Sequence, residues 1–157
     1  MEIPGPLPIV GAPPLGFRFG VIFLVGGVIP NPIDILFQKV SGLGASVDTY
    51  SIEEGGQNLY AQPLPKRIQH ENLVLERGLV VGSPLVIEFN AALSLFKFKP
   101  SNVLVNLLDN TRIPIASWLF MKAYPVKWSV SDLDATTNAV VIEHLELTYQ
   151  RMQTIRL

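Results

Sequence analysis

Three features of the chain predict a mainly β protein: two packed antiparallel sheets or a small β-barrel, with one flanking α-helix. Runs rich in Val, Ile, Phe and Leu recur at short intervals. Gly-, Pro- and Asn-rich breaks separate them. Only one segment, following Ser83-Pro84, carries helical periodicity. The 157 residues suit a single domain with a core of its own.

Residues 1–16 hold five prolines and read as an extended arm preceding a β-domain over 17–157. The arm is either a terminus without structure or a segment docked on a neighbour through Ile3, Leu7, Ile9 and Val10. Phe17–Val28 reads as the first strand, and Pro30-Asn31-Pro32 as a turn. Ile35–Val40 is a second, short strand, ended by Ser41-Gly42-Leu43-Gly44, where glycine tolerates positive φ. Ala45–Ile52 alternates with neither face fully apolar. Glu53–Pro65 has no periodicity, two prolines and a Gly-Gly pair, so it reads as a protruding loop.

Ile68–Arg77 resumes strand character, with Leu73, Leu75 and Arg77 on one face. Ser83 supplies an N-cap hydroxyl and Pro84 a first-turn proline. Leu85, Phe89, Ala92, Leu93 and Phe96 then share a helical face, and the helix ends near Lys97–Pro100. Val103–Leu108 and Ile113–Ala123 flank an Asp109-Asn110 turn, and Pro125 marks an edge or bend before Val126–Ser131. Asp132–Asn138 is a polar turn. Val140–Gln150 is the last long strand, with Glu143 on the apolar face of Val141, Leu145, Leu147 and Tyr149. A carboxylate there needs a partner or an interface.

Composition narrows the function classes. With no cysteine there is no disulfide and no thiolate metal site. A net charge of −1 offers no basic field for nucleic acid. Charged residues are 16%, against roughly 25% in ordinary soluble domains. Mean hydropathy is +0.35. So few charges leave apolar surface that needs partners or lipid. The best apolar run, Gly20–Pro30, is about half a membrane-spanning length and holds three glycines. Residues 1–16 also lack the basic start of a secretory signal. Subunit interfaces are therefore expected rather than stable membrane insertion.

No catalytic constellation emerges. His70 and His144 are the only histidines, and both alternate with apolar neighbours on strands. Glu53-Glu54-Gly55-Gly56 reads as an acidic loop, since two adjacent carboxylates lack the further oxygen ligands of a cation site. Asp132 and Asp134 have half the spacing of a calcium loop without its glycine and glutamate, so turn chemistry explains them. Trp118 and Trp128 read as core aromatics. No cofactor and no enzyme activity are expected. The remaining alternative to an assembling subunit is a monomeric β-barrel binding module of a baseplate or secreted protein.

Six pieces carry a family resemblance: FQKVSGL from Phe37, Glu53-Glu54-Gly55-Gly56 with Leu64-Pro65, LVLERGL from Leu73, AYPVKW from Ala123, DLDA from Asp132 and VIEHLEL from Val141. In this order, across about Phe17–Tyr149, the chain resembles the tail tube proteins of contractile-tailed phages and phage-tail-like contractile injection systems. The resemblance implies hexameric rings that stack around a lumen carrying cargo. The partners it implies are copies of the chain, a tube paralogue, sheath subunits and baseplate or spike proteins. It implies assembly in the bacterial cytoplasm within a particle that is later released or membrane-anchored. Ring closure would pair edge strands otherwise open to aggregation. Carried over, Glu53, Glu54, Gly55, Gly56, Leu64 and Pro65 are expected at the subunit or ring interface. The long Pro-rich arm and the apolar, turn-rich segment Gly26–Pro32 depart from a plain tube subunit and resemble an initiator ring.

Overall fold

The computed structural model describes residues 19–24, 37–52, 55–56 and 59–156. The arm over 1–16, the apolar, turn-rich segment at 26–32 and the carboxylates at 53 and 54 lie outside the described residues.

The described elements are β1 (Phe19–Leu24), β2 (Lys39–Ser41), β3 (Ala45–Ile52), β4 (Gln62–His70), β5 (Leu73–Gly78), α1 (Pro84–Leu95), β6 (Ser101–Leu108), β7 (Pro114–Val130), β8 (Ile142–Thr148) and β9 (Arg151–Arg156). Every pairing is antiparallel. The hydrogen-bonded path runs β1-β6-β7-β8-β5-β2, with β9 added to β7. β3 and β4 form a separate two-stranded ribbon.

The 17-residue β7 turns this path into two layers. Its first half pairs with β6 and β9, and its second half with β8. Between the halves Lys122 has φ 53, and the register shifts between Pro125 and Lys127. Such bulges let one strand pass from one sheet to another. The Lys122 amide at this corner donates to Asn102 Oδ1 at 3.1 Å, so the bend leaves that donor satisfied.

Apolar side chains of both layers meet in between. Val21, Phe23, Val103, Val105 and Phe120 face Leu73, Leu75, Leu145 and Leu147, and α1 closes one side with Leu85 and Phe89. Burying each of these large side chains contributes about 1.5–3 kcal/mol. Trp118 and Trp128 pack against this cluster, as the sequence predicts. The Ser83 hydroxyl accepts from the Val86 amide at 3.4 Å, with Pro84 in the first turn.

A charged group is built into the apolar interior. Arg77 on β5 and Glu143 on β8 are register partners. They are 2% and 0% exposed. Arg77 Nε donates to Glu143 Oε1, and Nη2 donates to Ser83 Oγ at 2.7 Å. The guanidinium also lies 5.0 Å from the Phe37 ring centroid. One side chain thus ties the second sheet to the helix N-cap and to the segment before β2. This fulfils the expectation that Glu143 is paired.

Gly42 shows why the SGLG break needs glycine. Its φ is +86, and a Cβ would fall onto the Asn72 carbonyl oxygen. Both the conformation and the close approach exclude a larger residue.

Four expectations need correction. Gln62–Pro65 belongs to β4, not to a loop: Pro63 and Pro65 are tolerated because β4 pairs on one side only. The Ile68–Arg77 run is two strands, since Glu71-Asn72 breaks it and the halves pair with different partners. The segment Val140–Gln150 shortens to Ile142–Thr148, and the tail turns back as β9. Phe96 leaves the helical face: it adopts φ 51 as the C-cap, and its side chain is 82% exposed.

Candidate assembly interface

The ribbon stands apart from the body. Among the described residues between Val40 and Leu73 no side chain joins the core cluster, except that Leu43 packs partly against it. Two-stranded ribbons are marginal in water without something to pack on. This one also presents apolar side chains to solvent: Val47, Tyr50, Ile52 and Ile68 along the strands, and Leu59 and Tyr60 near the tip. Val47 is opposite Ile68, and Tyr50 is opposite Leu64. Midway, Asp48 pairs with Arg67 at 3.6 Å and accepts from Gln69. Next to it the register slips, leaving Lys66 as the extra residue.

The residues expected at the interface are distributed along this ribbon. Glu53 and Glu54 lie outside the described residues. Gly55 and Gly56 form an exposed turn, Gly56 with φ 107. Leu64 is half-buried and Pro65 exposed, at register positions paired with Tyr50 and Thr49. The structure therefore places the last four on one projecting element. Sequence reasoning did not single out Val47, Tyr50, Leu59, Tyr60 and Ile68, which the structure leaves exposed on the same ribbon. The available signal was an apolar content on both faces of Ala45–Ile52 that no single core could absorb.

Strand edges add to the surface. Among the described residues, β1, β2 and β9 each pair on one side only, leaving backbone donors and acceptors for another chain. The outer face of the second sheet is polar. There Glu76 Oε1 lies 3.2 Å from Lys39 Nζ and 3.5 Å from His144 Nδ1. Exposed pairs of this kind contribute about 1 kcal/mol or less. His70 stacks on Tyr149 with centroids 5.4 Å apart. Burial, then the nearby Glu71 carboxylate, raises the Tyr149 hydroxyl above its usual pKa.

The acidic turn is structural. Asp134 Oδ1 accepts from the Thr136 amide at 2.9 Å and its hydroxyl at 2.6 Å, and Oδ2 accepts from Thr137 Oγ1 at 2.9 Å. These bonds, the Thr136 hydroxyl first, hold its carboxyl below the ordinary range. Among the described residues no group of three His, Asp or Glu converges as metal ligands. No helix among them is long and apolar enough to cross a membrane.

One apolar cavity of about 170 Å³ opens beneath α1, between Phe23, Leu85, Phe89, Ala92, Ala123 and Leu147. Beside it lies an aromatic ladder. Phe96 and Phe98 are 5.2 Å apart, and Phe98 and Tyr124 are 5.5 Å apart.

The fold matches chains of known assemblies. The profile of T4-like virus tail tube protein gp19 matches residues 15–153. A chain of the anti-feeding prophage baseplate, determined with six-fold symmetry, is 39% identical, with a TM-score of 0.86 over 93% of this chain and 97% of that one. A chain of the anti-feeding prophage tube-terminating cap has a TM-score of 0.82 and 23% identity over the full length of both. A chain of an extracellular contractile injection system's sheath-tube complex has a TM-score of 0.79 and 21% identity, covering 94% and 95%. The last two bear on the fold alone. No curated protein matches the chain. With 139 consecutive residues inside the family profile and a 39% identical structural relative across nearly its whole length, the chain is a structural component of contractile injection machinery and belongs to the T4-like virus tail tube protein gp19 family.

Proposed function

We propose that the chain is an inner-tube subunit acting at the tube-initiator ring, next to baseplate and spike. Six copies close a ring around a lumen, and the ring stacks on itself or on a tube paralogue. The observation that carries this reading is the 39% identity to a chain of a six-fold baseplate structure, against 21% to a chain of a sheath-tube complex. The unpartnered ribbon and one-sided edge strands supply the surfaces a ring needs. The mechanism is mechanical. A contracting sheath drives the tube through a target membrane, and stiffness comes from sheets joined between subunits and many repeated contacts. Cargo travels in the lumen.

Glu54, next in sequence to the Gly55-Gly56 turn, offers a charge test of this reading. Glu54→Lys is expected to leave the circular dichroism of the subunit unchanged and to raise the concentration needed for assembly at least tenfold, or about 1.4 kcal/mol per contact. Sedimentation of assembled material at graded concentration reads this directly. Assembly at the wild-type concentration contradicts the assigned role of the tip.

A further inference from the structure

The apolar cavity beneath α1 has a cause in the sequence. Ala92 on α1 and Ala123 on β7 stand there among Phe23, Leu85, Phe89 and Leu147. All six are buried. Two alanines where helix and sheets converge leave about 170 Å³ unfilled. Protein interiors ordinarily keep few voids larger than a water molecule, because the lining of a void loses its packing contacts. An apolar cavity of about 150 Å³ stays dry and takes up benzene. This interior therefore suits one ring-sized apolar group, and its six inner side chains offer water no hydrogen bond.

The rim has a different chemistry. Lys97, Lys99 and Ser101 line the cavity where the chain leaves α1, and Ser101 is the register partner of Ala123. Among the described residues neither lysine is within ion-pair distance of a carboxylate. None lies in sequence between Leu95 and Ser101. Glu88, the one carboxylate on the lining, is exposed and precedes Leu95 by about 10 Å of helix at 1.5 Å per residue. The rim thus holds two unpaired ammonium groups and a hydroxyl over an apolar interior. An apolar hollow with a few polar groups is the usual form of a small-molecule site.

We propose that this cavity binds a small apolar carboxylate. Its ring-sized body is held among Phe23, Leu85, Phe89 and Leu147, and its carboxylate accepts from Lys97, Lys99 or Ser101 at the rim. A neutral ligand of the same size gains only the interior, and a cation meets two like charges. The site includes no ribbon residue, and it stands or falls separately from the tube-subunit reading.

Benzoate is the probe, with benzyl alcohol and benzylamine as its neutral and cationic counterparts. Each is titrated into the full-length chain below its assembly concentration and followed through the methyl resonances of Leu85, Ala92 and Leu147. Benzoate is expected to shift these saturably, with a Kd of about 1 mM or lower. It is expected to bind at least threefold more tightly than benzyl alcohol and at least tenfold more tightly than benzylamine. Lys97→Gln with Lys99→Gln, both at exposed positions, is expected to bring benzoate down to the affinity of benzyl alcohol, which itself stays unchanged. Ala92→Leu fills the void and is expected to abolish binding of all three. Absence of saturable shifts with benzoate, equal affinity for the three probes, or benzoate bound as tightly by either variant each overturns the site. Should Ala92→Leu fail to fold, the lysine comparison decides alone.

Discussion

Glu143→Ala is expected to destabilise the subunit by about 3–5 kcal/mol, because it breaks a buried ion pair by removing the Glu143 carboxylate that accepts from Arg77. For a chain of this size that corresponds to a fall in melting temperature of roughly 6–20 °C. The loss spreads beyond the pair. Arg77 also donates to Ser83 and lies over Phe37, so a shift of the guanidinium disturbs the helix N-cap. The double replacement Arg77→Met with Glu143→Leu removes both charges and fills similar volume. It is expected to cost far less than the single change, since paired burial of charge is close to neutral against apolar packing. Urea unfolding of the unassembled subunit checks both. A single variant within about 1 kcal/mol of wild type contradicts the assignment of this pair as a buried anchor.

Excising the ribbon is expected to do the opposite: to spare the fold and abolish assembly. Ala45 and His70 are register partners, so their Cα atoms lie about 5 Å apart and a two-residue Asn-Gly turn can replace residues 46–69. None of the described residues in the replaced stretch belongs to the buried core. The shortened chain is expected to melt within a few degrees of wild type and to remain monomeric at concentrations where wild type forms rings. Loss of folding shows that the ribbon supports the body, and normal rings show that it does not carry the contact. Both results contradict the account.

Local features of the fold were legible in the sequence to the extent that their causes are local. Ser83-Pro84 announces α1 because a cap and a first-turn proline act within a few residues. The lone Glu143 among apolar alternates announces a buried partner, and Arg77 occupies the same kind of position on its own strand. That the two face each other follows from β5 and β8 being neighbours across 66 residues, which no local pattern contains. Pro63 and Pro65 read as loop because proline removes ladder donors. They sit in a strand because that strand has an open side, a property of the topology rather than of the dipeptide. Phe96 fits the helical period, yet the helix stops one residue earlier and the left-handed cap swings it outward. The candidate interface shows the same division. Gly55-Gly56 marks the tip plainly. The apolar residues on the ribbon's strands read as ordinary strand residues until the structure shows that, among the described residues, they stay exposed.

As proposed, this subunit closes into rings that build a tube. Negative-stain electron microscopy of the purified chain over a concentration series tests it most directly. Six-fold rings are expected, which stack either alone or when a second tube paralogue is supplied, the latter being the behaviour of an initiator. A strict monomer at every concentration, with and without that paralogue, contradicts it and favours a β-barrel binding module.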